Sequence, residues 1–153
     1  MTNDSRICHR ILFVCHGNIC RSPMAEFVMK HKVSEMGLAD RFEIASAATS
    51  TEELGNPVYP PARRMLASHG IGCQGKTARQ IVPSDYRYYD LLIGMDRYNL
   101  ANMRRAFRGD PEGRVRPLLP DRDVADPWYT DDFDATWNDV NEGCDLLLRE
   151  LGY

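Results

Sequence analysis

Apolar residues in this chain fall into short runs that alternate with stretches of helical spacing. The short runs predict four strands, at Arg10–Val14, Phe42–Ala47, Leu91–Met95 and near Val115–Leu118. Because helical segments separate these runs, successive strands can lie side by side and run in the same direction. The pattern therefore predicts a parallel sheet of about four strands.

The helical stretches carry start and stop signals. Ser22 can cap a first helix, Pro23 suits its first position because its missing N–H would be unpaired there, and Gly37 can end it. Further helices are predicted within Pro57–His69, from the N-cap Asp96 toward Phe107, and over Asp131–Leu151.

These elements predict a single α/β domain over residues 1–153, with residues 1–6 as a disordered polar start. The expected fold is a three-layer sandwich, Rossmann-like or flavodoxin-like, in which about five helices flank a central four-stranded parallel sheet. Ligands of such sheets bind beyond the carboxyl ends of the strands. The loop at residues 15–22, which follows the first strand, is therefore the first candidate site.

Composition and charge argue against binding to nucleic acid or to a membrane. The apolar share of 43% and the charged share of 27% are ordinary for a globular domain. A net charge of −3 provides no basic field for nucleic acid. No apolar run approaches the roughly 20 residues of a membrane span, and the polar start does not resemble a signal peptide. We expect a cytoplasmic protein without nucleic-acid or membrane partners.

The cysteine pattern argues against disulfides and metal. The chain has five cysteines, an odd number that does not suit a disulfide framework. The repeated pairs Cys8-His9 and Cys15-His16 flank a predicted strand and would lie roughly 23 Å apart if it were fully extended. Such a separation is too large for one tetrahedral metal, so no metal site is predicted.

The loop after the first strand has the composition of an oxyanion cradle. A loop that leads into a helix directs backbone N–H groups toward one point, where the helix adds its positive end. Gly17 and Asn18 tolerate the tight curve, and the planar fork of Arg21 can hold two phosphate oxygens. The predicted phosphate-binding residues are His16, Gly17, Asn18, Ile19, Cys20, Arg21 and Ser22.

Cys15 lies where these donors converge. Positive surroundings and oriented amides favour the thiolate, which is the nucleophilic form of cysteine. Ser22 can also donate its hydroxyl to the sulfur. The same donors would neutralise the oxygens of a phosphoryl group in the transition state.

The string Val14–Pro23 resembles the phosphate-binding loop of low-molecular-weight protein tyrosine phosphatases. Other segments fall in that family's order: Ser46-Ala47-Ala48-Thr49, Ala78-Arg79-Gln80, Met95-Asp96 and Asp126-Pro127-Trp128-Tyr129. The resemblance implies hydrolysis of phosphotyrosine, in a protein or an aryl phosphate, through a phosphocysteine on Cys15, with Arg21 as the phosphate clamp. It implies no metal or organic cofactor, and it implies inhibition by inorganic phosphate or vanadate.

Asp126 is the candidate acid. Pro127 biases it toward an extended conformation, which places the carboxyl on a loop. The resemblance implies that Asp126 protonates the leaving group and then activates water. Trp128 and Tyr129 would form an aromatic wall that suits a phenyl phosphate.

Three positions depart from the family's pattern. Glu52 stands at the substrate rim where an aromatic residue is common, and its carboxylate should repel acidic peptides. Lys76 replaces a histidine that typically braces the loop asparagine, which leaves the support of Asn18 open. His16 follows the nucleophile in place of an apolar residue, where it can contact substrate or add charge when protonated.

Cys20 shares the loop with Cys15 and is the predicted redox partner in a reversible disulfide. Two rival functions stay open: arsenate reduction on the same fold, and an oxyanion-binding regulatory module with weakened catalysis. Arsenate chemistry needs two further cysteines near a mobile helix, and Cys73 and Cys144 do not form such a pair in the sequence. The physiological substrate and the oligomeric state are open at this point.

Overall fold

A computed structural model describes residues 8–153. Residues 1–6, predicted to be disordered, lie outside the described residues. Within the described range, four parallel strands form one sheet in the order β2-β1-β3-β4, as the sequence predicted. The strands are β1 (His9–Cys15), β2 (Phe42–Ala48), β3 (Leu91–Gly94) and β4 (Val115–Pro117).

Six α-helices occur in the described range, together with a short 3-10 turn at Ala39–Arg41. The helices are α1 (Arg21–Glu35), α2 (Pro60–Ser68), α3 (Asp85–Tyr88), α4 (Arg97–Ala106), α5 (Pro127–Thr130) and α6 (Phe133–Glu150). The sequence pattern located the four longer helices. It did not locate α3 and α5 because four residues are too few to show helical periodicity.

The central strand β1 packs on both faces. Ile11 and Phe13 point into a core formed with α1, α2 and α6, whereas Leu12 and Val14 point into a second core that includes Met103 of α4. Successive side chains of a strand point to opposite faces, and both faces are covered here, so the run is apolar throughout. This confirms the three-layer α/β class.

Helix α1 ends as predicted but begins differently. Gly37 adopts a φ of 72°, just beyond the C-cap. The predicted cap at Ser22 is wrong: α1 begins at Arg21, Cys20 occupies the N-cap position, and no side chain caps the helix. The Ser22 hydroxyl contacts the Cys15 sulfur and the Asn18 amide instead.

The chain leaves β1 and β3 toward opposite faces of the sheet. After β1 it enters α1, and after β3 it enters α4, whose side chains belong to the other core. Cys15 ends β1, and Asp96 lies between β3 and α4. Parallel sheets form their ligand crevice at such a divergence. None of the helices in residues 8–153 is long and apolar enough to cross a membrane.

Candidate active site

A cleft of about 980 Å³ opens at this divergence and gathers the predicted site residues. Its lining includes the predicted catalytic residues Cys15, Arg21 and Asp126, the loop residues His16, Gly17, Asn18, Ile19 and Cys20, and the predicted rim residues Glu52, Trp128 and Tyr129. Ser22 does not line the cleft. It is fully buried, and its hydroxyl lies 2.9 Å from Cys15 Sγ.

The loop turns its carbonyl groups away from the cleft. The carbonyls of Cys15 and His16 accept the N–H groups of Thr49 and Ser50, and the carbonyl of Ile19 accepts that of Tyr59. In a planar trans peptide, the N–H points opposite to the preceding carbonyl. The N–H groups that follow these carbonyls therefore point toward the cleft and can bind an anion.

Asn18 holds the loop in its curve. It adopts a φ of 62°, which asparagine tolerates, whereas Gly17 is not in a positive-φ conformation. A Cβ at Gly17 would lie 3.3 Å from Glu53 Cγ, so glycine allows the loop to pass close to Glu53. The Asn18 N–H points at Cys15 Sγ across 3.3 Å.

Behind the sulfur, both polar atoms of the Asn18 side chain form hydrogen bonds. Its amide nitrogen donates to the hydroxyl oxygens of Ser22 and Ser46, at 2.8 and 3.0 Å, and its carbonyl oxygen accepts the Arg79 N–H. Because Ser22 Oγ accepts from Asn18, its own proton is free to point at Cys15 Sγ. The sulfur thus has two donors that would stabilise its negative charge.

Lys76 supports this network through Ser46. Lys76 Nζ donates to the Ser46 carbonyl at 2.7 Å and lies 3.7 Å from Glu26 Oε1, which accepts the Ser46 hydroxyl at 2.5 Å. Burial lowers the pKa of Lys76 below its ordinary value, against the opposing charge of Glu26. The support of Asn18, which the sequence left open, therefore comes from Ser22, Ser46 and Arg79, with Lys76 and Glu26 behind them.

Arg21 is buried between two carboxylates. One guanidinium nitrogen donates to Asp96 Oδ2 at 2.9 Å, and the other lies 3.3 Å from Asp126 Oδ2. Burial opposes the charge, but the neighbouring Cys15, Asp126 and Asp96 outweigh it and raise the pKa of Arg21 above its ordinary value. The guanidinium is thus fixed in place and remains charged.

Asp126 is extended, as Pro127 predicted, and it caps the single-turn helix α5 through a 3.1 Å bond from the Trp128 N–H. Its loop is tied to α6: Asp139 accepts the Ala125 N–H at 2.9 Å, and the Thr136 hydroxyl donates to the Ala125 carbonyl at 2.8 Å. These two bonds on the preceding residue fix where the Asp126 carboxyl stands.

The rim is exposed and chemically mixed. His16 Nε2 lies 2.9 Å from Glu52 Oε2, so two of the three positions that depart from the family's pattern form a pair with each other. Across the cleft, Trp128 packs against Tyr59 with ring centroids 5.5 Å apart. Tyr129 is 85% exposed.

The cysteines differ in environment. Burial, followed by the charges of Cys15 and Asp126, raises the pKa of Cys20 to about 12. Burial also raises the pKa of Cys144 to about 12 and that of Cys73 above its ordinary value. All five thiols are free, and Cys73 and Cys144 pack in the core beside α1. This environment does not favour their use as an arsenate relay, because a relay needs reachable thiolates.

Several residues of the site were missed by sequence reasoning. Asp96 was predicted as a helix cap and as part of the family segment Met95-Asp96, but not as a partner of Arg21. It caps α4 in a capping box and also binds Arg21. Asp139 and Tyr98 gave no signal, because a single acid or aromatic residue on a helix is usually a surface group. Glu53, adjacent to the predicted rim residue Glu52, also lines the cleft.

Residues 10–153 match the family described as "Low molecular weight phosphotyrosine protein phosphatase". The chain belongs to this family. The rat low molecular weight phosphotyrosine protein phosphatase is 38% identical over 149 residues, which cover 92% of this chain and 94% of that protein. As a member, the chain is an enzyme of the low-molecular-weight protein-tyrosine-phosphatase type.

Solved structures of family members share the fold. The crystal structure of YfkJ from Bacillus subtilis has a TM-score of 0.90 and 32% identity, with 94% of each chain covered. The low molecular weight protein tyrosine phosphatase SP-PTP from Streptococcus pyogenes has a TM-score of 0.88 and 38% identity, with 95% of this chain and 94% of that chain covered. The family resemblance found in the sequence is thereby confirmed.

Proposed function

We propose that this enzyme hydrolyses phosphotyrosine, in proteins or as aryl phosphates, through a phosphocysteine on Cys15. The observation that carries the proposal is the setting of the sulfur at the floor of the cleft. There it meets the Ser22 hydroxyl at 2.9 Å and the Asn18 N–H at 3.3 Å. Both contacts stabilise the thiolate, the form that attacks phosphorus.

Arg21 and the inward N–H groups of the loop hold the phosphoryl oxygens in this mechanism. Phosphoryl transfer depends mainly on positioning and on neutralising the charge of the equatorial oxygens. The guanidinium, fixed by Asp96, supports this role because it needs little reorganisation as the transition state forms.

Asp126 serves as the acid and then as the base. When Cys15 Sγ attacks, the bond between phosphorus and the tyrosyl oxygen breaks, and that oxygen takes the Asp126 proton. The Asp126 carboxylate then takes a proton from water, which attacks phosphorus and breaks the S–P bond. The products are phosphate and the free thiolate. The 3.3 Å approach of Asp126 to Arg21 supports a carboxyl within reach of the reacting group.

Inorganic phosphate and vanadate are the expected inhibitors of such a site. Each presents to the loop a set of oxygens arranged like those of the phosphoryl group or of its transition state. The buried positions of Cys73 and Cys144 favour hydrolysis over arsenate reduction. The intact set of Cys15, Arg21 and Asp126 favours it over a catalytically weakened binding module. A cytoplasmic location stays a prediction from the sequence.

The test is hydrolysis of para-nitrophenyl phosphate and of a phosphotyrosine peptide by the reduced enzyme. Cys15→Ser should lower kcat by at least about ten-thousandfold, as removal of a nucleophile does, while phosphate still binds. Cys8→Ser, which changes an exposed thiol outside the cleft, is the matched control. Acid quenching during turnover should capture one phosphoryl group on Cys15. Near-normal turnover by Cys15→Ser would refute the mechanism.

A further inference from the structure

The mouth of the cleft carries carboxylates and large aromatic rings. Glu52 and Glu53 lie beside the phosphate loop, and three aromatic residues also line the opening. Tyr98, Trp128 and Tyr129 are 72%, 59% and 85% exposed. Such large exposed rings around one opening are typical of a binding surface, because single-domain proteins rarely expose them together.

The charge at the mouth is negative. Asp96 and Asp126 already take up the charge of Arg21 at the floor. Glu52 has His16 as its partner, but Glu53 bonds only the Asn56 amide and has no ion-pair partner among residues 8–153. A phosphate dianion would therefore enter a mouth that already carries excess negative charge.

A cation beside the phosphate would satisfy both kinds of group. Carboxylates attract it directly, and the faces of tyrosine and tryptophan rings attract it through their quadrupoles. An apolar substrate residue beside the phosphate could contact the rings but could not pair with the carboxylates. An acidic residue there would be repelled by Glu52 and Glu53. The rings and the carboxylates point independently to the same ligand chemistry.

We propose that Glu52, Glu53 and Tyr98 select substrates in which an arginine lies next to the phosphotyrosine. Arginine is preferred to lysine, because its planar guanidinium can stack on a ring and bond a carboxylate with two N–H groups. The proposal rests on the proposed phosphotyrosine hydrolysis and specifies the substrates of that same cleft.

The test uses one phosphotyrosine peptide with arginine, lysine, alanine or glutamate on each side of the phosphotyrosine in turn. The kcat/KM should fall in that order, with roughly a tenfold span between the arginine and glutamate peptides, since exposed ion pairs and cation–π contacts are individually modest. Raising the ionic strength to about 1 M, where the Debye length is near 3 Å, should shrink the span.

Variants then assign the effect through the ratio of kcat/KM for the arginine and glutamate peptides, which cancels any general loss of activity. Glu53→Gln and Glu52→Gln should each lower that ratio by about threefold, and Tyr98→Ala should lower it by about twofold. Glu35→Gln, which removes the same charge from an exposed position on α1 outside the cleft lining, is the matched control and should not change it.

The outcomes separate the two proposals. Equal kcat/KM for all the peptides, or a ratio that Glu35→Gln changes as much as Glu53→Gln does, would overturn the arginine preference while leaving phosphotyrosine hydrolysis intact. A higher kcat/KM for the glutamate peptide than for the arginine peptide would mean that the mouth prefers an acidic residue, and it would overturn the proposal. Failure to hydrolyse any of the peptides or para-nitrophenyl phosphate would instead refute the proposed function itself.

Discussion

At the floor of the cleft and directly behind it, Cys15, Asn18, Arg21 and Ser22 are no more than 4% exposed, whereas at the mouth Trp128 is 59% exposed. Cys15, Asn18 and Ser22 bond one another, and Arg21 beside them bonds Asp96 and lies against Asp126. The hydroxyl proton of Ser22 is directed at the sulfur. The mouth residues make few contacts with the rest of the protein, and the packing of the Trp128 ring on Tyr59 is one of them.

The difference separates two tasks. A buried polar network is costly to change because each lost partner leaves another group unsatisfied. Exposed side chains can be replaced at small cost to stability. The floor thus suits the invariant part of the reaction, which is holding a phosphoryl group, and the mouth suits the part that varies with substrate.

After loss of the nucleophile itself, the largest effect should come from the acid that stands between floor and mouth. Asp126→Asn keeps the helix-capping oxygen but removes the transferable proton, so kcat for aryl phosphates with poor leaving groups should fall by roughly a hundredfold or more. Good leaving groups need no proton and should be affected much less, as a plot of kcat against leaving-group pKa would show. Asp121→Asn, an exposed acid on the same loop, is the control. An equal loss for all leaving groups would remove Asp126 from the acid role.

The floor should also control oxidation. After peroxide converts Cys15 to the sulfenic acid, the Cys20 thiolate must attack that sulfur, and the disulfide forms with loss of hydroxide. Burial, which oxidation of Cys15 leaves in place, raises the pKa of Cys20 above its ordinary value. The thiolate fraction of Cys20, and with it the rate of this step, should therefore rise by up to about tenfold per pH unit between about pH 7 and 9. Competition between disulfide formation and dimedone trapping measures the step. Cys20→Ser should abolish the disulfide, and a rate independent of pH would contradict the prediction.

The ion pair behind the floor should contribute to stability. Lys76→Met removes the donor to the Ser46 carbonyl and leaves Glu26 with less compensation, which should lower the free energy of unfolding by about 1–2 kcal/mol. Lys30→Met removes the exposed partner of the same carboxylate and should cost about 0.5 kcal/mol or less. Urea unfolding measures both. Equal losses would mean that burial of Lys76 does not matter.

The smallest effect should come from the tether of the acid loop. Asp139→Ala removes the acceptor of the Ala125 N–H, so Asp126 should be placed less precisely and kcat for poor leaving groups should fall about fivefold. Glu142→Ala removes a bond to Arg122, which Asp139 also binds, but leaves the Ala125 contact intact. If both variants lost activity equally, the effect would come from Arg122 rather than from the Ala125 bond.

The sequence predicted the parts of this molecule that depend on local pattern. The four strands follow from short apolar runs, and the extended Asp126 follows from Pro127. The Ser22 cap failed because a tertiary contact with the Cys15 sulfur competed for the hydroxyl. The roles of Asp139 and Tyr98, and the contact of Asp96 with Arg21, depend on segments that are far apart in the chain. No periodic pattern in the sequence marks these positions, so the sequence did not predict their roles. Lys76 was noticed only as a replacement; its actual partners depend on how β2 and α1 pack.

Asp96 gives one oxygen to the Asn99 N–H at the start of α4 and the other to Arg21. The start of a helix on one side of the sheet and the anion clamp on the other therefore share a single carboxylate. Anything that immobilises the guanidinium also restrains the first turn of α4, so ligand binding should slow amide hydrogen exchange at Asn99. Asp96 thereby couples the helices on the two faces of the sheet at the place where the chain leaves β1 and β3 in opposite directions.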